Sequence, residues 1–122
     1  MSTSLLPSRG DVILVRYPFS SGGGFKRRPA LVVQNDRDNA RLTNTIIAMI
    51  TSQTARVYEA TQLLIDISTP EGQRSGLRQD SAVICTNLFT IEKRLVLQRI
   101  GVLSGNLMSQ IDACLKATRE LP

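Results

Sequence analysis

The chain contains no histidine, which removes most of the usual acid–base and nucleophilic chemistry, because Ser–His pairs, Cys–His pairs and the commonest general base are all unavailable. Two other groups remain, and both suit a phosphate. One is Arg28, the last of three consecutive cations, Lys26-Arg27-Arg28, immediately before Pro29. The other is Thr51-Ser52-Gln53, which closes an apolar run with two hydroxyls and an amide. A guanidinium forms paired hydrogen bonds to phosphate oxygens and stabilises the charge that builds up on a phosphorane-like transition state. Such a site needs no metal if the nucleophile is the neighbouring 2′-OH of RNA. The same three cations also fit a plain solvated surface run.

Positioning these groups takes strands. Pro29 has a fixed φ and no N–H, so it belongs at the first residue of a strand. That predicts a second strand over residues 30–34, with Arg28 at its mouth and Lys26 and Arg27 flanking it as a local positive field. Upstream, Val12, Ile13, Leu14 and Val15 predict a buried first strand to about residue 17. Pro18 ends it, and the Ser20-Ser21-Gly22-Gly23-Gly24 connection returns to Lys26. Asn35-Asp36 and Asp38-Asn39 predict a polar turn, and residues 43–52 a third strand that leaves the core at Thr51. A shorter fourth strand is expected over 61–67. A loop around Pro70-Glu71-Gly72 and Ser75-Gly76 carries Arg74 and Arg78, and a fifth strand covers 81–86. Residues 88–94 read as a turn or one helical turn. Residues 95–103 read as a last strand, although Leu95, Leu97 and Ile100 also fit a helix.

Ser104 is a candidate N-cap, and Leu107, Met108, Ile111, Leu115 and Thr118 then recur at helical spacing. Five or six short strands followed by one helix is the pattern of a small, partly closed β-barrel. The fold class is therefore mainly β (α+β), with a C-terminal amphipathic helix whose apolar stripe covers the open end of the barrel. Residues 1–122 read as a single domain, with 1–8 as a flexible start.

Composition narrows the partners. The 122 residues carry a formal charge of +5, which points to a polyanion such as nucleic acid or to an acidic protein. Among the basic residues only Lys26, Lys93 and Lys116 are lysine, and the remaining arginines suit bidentate phosphate contact. Cys85 and Cys114 lack CxxC spacing and have no histidine to join them, so no metal site and no cofactor are expected. Both cysteines read as small core hydrophobes. The three glycines are not a P-loop, because no Lys-Ser or Lys-Thr follows them. Nothing reads as a membrane span or a secretory signal, so a soluble cytoplasmic protein is expected.

Taken in order, Gly10-Asp11-Val12, Arg28-Pro29-Ala30-Leu31-Val32-Val33, Ile50-Thr51-Ser52-Gln53, Asp80-Ser81-Ala82-Val83 and Thr90-Ile91-Glu92-Lys93 resemble the MazF/PemK family of toxin endoribonucleases. The resemblance runs from about Arg9 to the C-terminal helix. It implies an SH3-like or CcdB-like barrel, a homodimer, metal-independent cleavage of single-stranded RNA and inhibition by an antitoxin protein. Carried over residue by residue, the family's catalytic arginine before proline falls on Arg28 and its strand-end threonine on Thr51. The implied reaction is attack by the 2′-OH on the adjacent phosphorus, giving a 2′,3′-cyclic phosphate and a 5′-OH. Lys26, Arg27, Ser52, Gln53 and Arg78 are expected to bind substrate, and Phe25, or its neighbour Phe19, to stack on an unpaired base. The family often carries a glutamine after the fifth strand, where this chain has Thr86-Asn87. A non-enzymatic toxin that clamps a protein, as the CcdB relatives of this fold do, or an RNA-binding module, remains the alternative on the same barrel.

Overall fold

Valine, isoleucine and leucine crowd both faces of the three central strands, so these strands can be stable only when covered on both sides. A computed structural model of the chain describes residues 6–17 and 26–120. Its six strands are β1 (Asp11–Tyr17), β2 (Lys26–Val32), β3 (Asn44–Thr51), β4 (Gln62–Ile65), β5 (Ser81–Glu92) and β6 (Val96–Val102). They form one antiparallel sheet in the order β4-β5-β3-β2-β1-β6. Three α-helices, α1 (Asp36–Arg41), α2 (Pro70–Arg74) and α3 (Gly105–Thr118), and one 3-10 turn, Lys93–Leu95, complete the elements of the described residues. The class is the expected α+β, mainly β.

The alternation of side chains sorts the core into two layers. Val12, Leu31, Ala48, Ile50 and Val83 pack on one face beneath Leu107, Met108 and Ile111 of α3. On the other face, Ile13, Val15, Ala30, Val32, Ile47 and Met49 form a smaller layer with Val96, Phe89 and Ile91. Helix α3 therefore lies across a sheet face, against β4 and β5, rather than over the end of a barrel. Its Ser104 cap is as expected, with the hydroxyl accepting from Leu107 N at 3.2 Å. Cys85 and Cys114 are buried free thiols in the α3 layer, and burial, with Cys114 alongside, pushes the Cys85 thiol up to about 12. Such thiols stay protonated and behave as core hydrophobes.

Several elements depart from the sequence expectation. Pro29 is not the first residue of its strand: β2 begins at Lys26 and pairs with β1 from Tyr17↔Lys26 to Val12↔Leu31. Pairing with β3, however, starts only at Ala30↔Met49. Proline's missing N–H therefore matters on one edge only, and β1 holds the basic triplet in extended form. The polar turn at residues 35–39 is a helix, because Asn35 caps it by accepting from Asp38 N at 2.9 Å. Buried Asn39 then joins Gln34 (2.9 Å) and Thr45 (2.7 Å) in a satisfied network. The Pro70 loop contains α2, started by Thr69 as N-cap and Pro70 in the first turn. Strand β5 does not stop at Thr86: it skips Cys85, Thr86 and Asn87 in its pairing with β3, between Met49↔Ile84 and Ala48↔Leu88, and continues to Glu92. A bulge of this kind bends a strand without ending it.

Pairing around the sheet is not closed, since β4 and β6 are edges. The gap is bridged instead by the segment after α2. Gly76 has φ +74°, and a Cβ there would lie 2.0 Å from the Ile100 carbonyl oxygen, while a Cβ on Gly101 would lie 2.3 Å from that of Arg74. Two glycines thus let the α2 segment and β6 touch backbone to backbone.

Glu71 of α2 ties this segment to α3, accepting from the Ser104 hydroxyl and from Asn106 Nδ2 at 3.2 Å. The Ser104 hydroxyl, then Asn106, holds the Glu71 carboxyl below the usual carboxylate range. A depressed folded-state value means stability that is present above the unfolded value, about pH 4.3, and lost as pH falls through the folded one. Glu71→Gln is therefore expected to flatten the acid limb of the melting temperature between about pH 6 and pH 3. An unchanged acid limb in thermal melts would contradict the latch. Ser104→Ala removes the hydroxyl's bond to Glu71 and the cap on Leu107 N, and is expected to cost about 1 kcal/mol through the lost cap alone, read as a drop in melting temperature of about 4 °C.

Candidate active site

The bridge at Gly76 roofs a groove of about 580 Å³ lined by Arg28, Thr51, Ser52, Gln53 and Arg78. These five come from two strands, the β3–β4 connection and the segment after α2. Among the described residues, Arg28 and Arg78 are the only charged ones lining it, and no carboxylate does, so the groove presents a positive field to an anion. Gln79, Ser81 and Gln98 add neutral hydrogen-bonding groups. Gln98 reaches the site because it sits opposite Leu14 in the β1–β6 pairing, and no signal local to Gln98 announces that neighbour.

Neighbouring strands account for the key pair. Ala30↔Met49, Leu31↔Ala48 and Val32↔Ile47 define the β2–β3 ladder. The observed pairing stops at Ala30↔Met49, and beyond it Arg28 and Thr51 lie at the adjacent ends of β2 and β3 and line the same groove. The Thr51 hydroxyl accepts from Gln53 N at 3.2 Å, which folds the chain back at the strand end and leaves the hydroxyl proton to donate. Thr51 and Gln53 also line a second groove, with Arg56, Glu59, Gln62 and Thr86. The β5 bulge places Thr86 there, so this residue lies within a strand and not after one.

Lys26 and Arg27 are exposed on β2 but do not line the groove. They lie further along the strand, opposite Tyr17 and Arg16. Phe25 and Phe19 lie outside the described residues. Lys93 donates to the Asn39 carbonyl, Arg94 pairs with Glu92 and Arg99 lies 3.4 Å from Asp11, so these three cations are engaged within the fold.

Comparison with known proteins gives the arrangement its context. Residues 8–118 match the family described as the PemK-like, MazF-like toxin of type II toxin-antitoxin systems. The chain belongs to that family. Among curated members, it is 34% identical over 105 residues to endoribonuclease MazF6 of Mycobacterium tuberculosis, covering 85% of this chain and 88% of the relative. It is 31% identical over 120 residues to endoribonuclease EndoA of Bacillus subtilis, covering 96% and 97%. The fold matches that of M. tuberculosis toxin MazF-mt6 with a TM-score of 0.74 at 23% identity, over 92% of this chain and 98% of that one. It also matches a mycobacterial endoribonuclease in complex with its cognate antitoxin, with a TM-score of 0.75 at 21% identity over 95% and 97%. Among the described residues of this MazF/PemK family member, no helix is long and apolar enough to cross a membrane.

Proposed function

We propose that this toxin is a cytoplasmic, metal-independent endoribonuclease that cuts single-stranded RNA at the outer end of the β2–β3 pair. The carrying observation is the convergence of Arg28 and Thr51, from separate strands, on one carboxylate-free groove. In this reading the 2′-oxygen attacks the adjacent phosphorus, the P–O5′ bond breaks, and the products are a 2′,3′-cyclic phosphate and a 5′-OH. Arg28 holds the phosphate and stabilises the extra charge of the phosphorane. In the same reading it donates a hydrogen bond to the departing 5′-oxygen. Thr51 donates its hydroxyl proton in a hydrogen bond to the phosphate or the 2′-oxygen. Arginine stays protonated and threonine is too weak a base, so the proton leaving the 2′-OH passes to a phosphate oxygen of the substrate and from there to the departing 5′-oxygen, which leaves as the 5′-OH. Ser52, Gln53 and Arg78 grip the same stretch of backbone, and Lys26 and Arg27 meet phosphates further along the chain.

The partner in this reading is an acidic antitoxin that occupies the positive groove, and the active form is a homodimer. Charge complementarity of this kind weakens with salt. Antitoxin affinity is expected to fall as ionic strength rises, and titration calorimetry showing salt-indifferent binding would contradict the arrangement. The reaction itself has a direct test. An oligonucleotide with 2′-deoxyribose at the cut position is expected to survive intact, and full activity is expected to persist in a chelator. Cleavage of the 2′-deoxy substrate would exclude the 2′-oxygen as nucleophile.

A further inference from the structure

Next to the Arg28–Thr51 groove lies the second groove, and its chemistry is different. It shares Thr51 and Gln53 with the first but contains Glu59 together with Arg56. A carboxylate beside a groove for a polyanion is unfavourable unless it reads a specific hydrogen-bond donor. The segment that carries it is built rather than loose: Val57 N bonds to Thr54 O at 3.3 Å, Glu59 N to Arg56 O at 3.0 Å and Gln62 N to Glu59 O at 3.1 Å. Within these turns, next to Glu59 in the chain, Tyr58 is 81% exposed, an aromatic ring displayed to solvent that does not itself line the groove. Arg56 and Glu59 face one another at only 3.9 Å, with side chains 73% and 37% exposed. An ion pair that long and that open holds neither group strongly.

We propose that this groove is a nucleobase subsite that reads guanine in the nucleotide next to the scissile phosphate. The inference rests on the nuclease reading above and deepens it. Tyr58, exposed and adjacent in the chain to the groove residue Glu59, supplies a stacking platform for a base seated there. The Glu59 carboxylate is an acceptor only, and two parallel bonds to it require two adjacent donors on the base. Guanine offers them as N1–H and the N2 amino group, whereas adenine, cytosine and uracil each place an acceptor beside their single Watson–Crick donor. Arg56, a donor only, complements guanine O6 or N7. An acidic antitoxin segment is the less favoured occupant, because Glu59 repels it. Adjacency follows from Thr51 and Gln53 lining both grooves, so a strand bound at Arg28 passes its neighbouring base around the strand end.

The test uses the whole chain and a long unstructured RNA carrying all short sequence contexts, with the 5′ ends of the products sequenced. Guanine is expected at one fixed position relative to the cut. Replacing that guanine with inosine, which lacks the N2 amino group, is expected to lower cleavage there roughly tenfold. Glu59→Gln is expected to erase most of the guanine-over-inosine ratio, a readout that a merely structural role would not move. Tyr58→Ala is expected to lower kcat/KM roughly tenfold and Tyr58→Phe to restore it. No fixed guanine, equal cutting at inosine, or an unchanged ratio in Glu59→Gln overturns the proposal and leaves the nuclease reading standing. Variants that alter antitoxin affinity but not the cleavage pattern also overturn it, by making the groove a protein-docking surface. A chain that cuts no RNA at all overturns both readings.

Discussion

Arg28→Ala is expected to lower kcat/KM for RNA cleavage by roughly 100- to 1000-fold, the loss that follows removal of a single preorganised donor from a developing oxyanion. The fold should survive, because the Arg28 side chain is exposed at the end of the β2–β3 ladder while Pro29 and Ala30 beside it carry the packing. Arg28→Lys is expected to recover only part of the rate, since an ammonium keeps the charge but not the planar fork. Separating KM from kcat makes the result specific. If Arg28 acts mainly on the transition state, kcat falls and KM changes little. If it merely adds to the positive field, KM rises and kcat stays. Unimpaired cleavage by Arg28→Ala, in a variant with a wild-type melting temperature, would remove the assignment of the site.

Gly76→Ala carries the other large expectation, and it acts through the backbone. With φ at +74° and the new Cβ placed 2.0 Å from the Ile100 carbonyl oxygen, alanine faces both a left-handed conformation and a backbone clash. The left-handed conformation alone costs about 1–2 kcal/mol, and relieving the clash must move either β6 or the segment after α2. The total is expected to reach about 3 kcal/mol, seen as a fall in melting temperature of roughly 10 °C. Activity should fall further than stability explains, because Gly76, Leu77 and Arg78 on one side and Gln98 and Ile100 on the other line the same groove. A variant that melts normally and cleaves normally would show that the α2 segment does not brace the site.

Local chemistry is legible along this chain wherever a signal and its consequence lie a few residues apart. Ser104 and the stripe Leu107, Met108, Ile111 announce α3 because a cap and a helical period are both short-range. The apolar run before Thr51 announces β3 for a similar reason. Where two short-range signals compete, the sequence misleads. Asn35-Asp36 and Thr69-Pro70 suit a turn as well as a cap, and both prove to be caps. Pro29 reads as a strand start because the missing N–H cannot reveal which edge it faces, and here β1 pairs straight past it.

By itself the sequence determines the available chemistry: a chain with no histidine, a basic triplet before a proline and a hydroxyl at a strand end can offer guanidinium and hydroxyl groups to a phosphate, and little else. What only the tertiary structure decides is company. Arg28 and Thr51 come to line one groove because β2 and β3 are neighbours in the sheet, Gln98 enters it through the β1–β6 pairing, and two glycines bring the Arg78 segment against β6. Each of these contacts joins residues far apart in the chain. Their pairing depends on how all six strands share two buried faces, a cooperative property that no window of sequence contains.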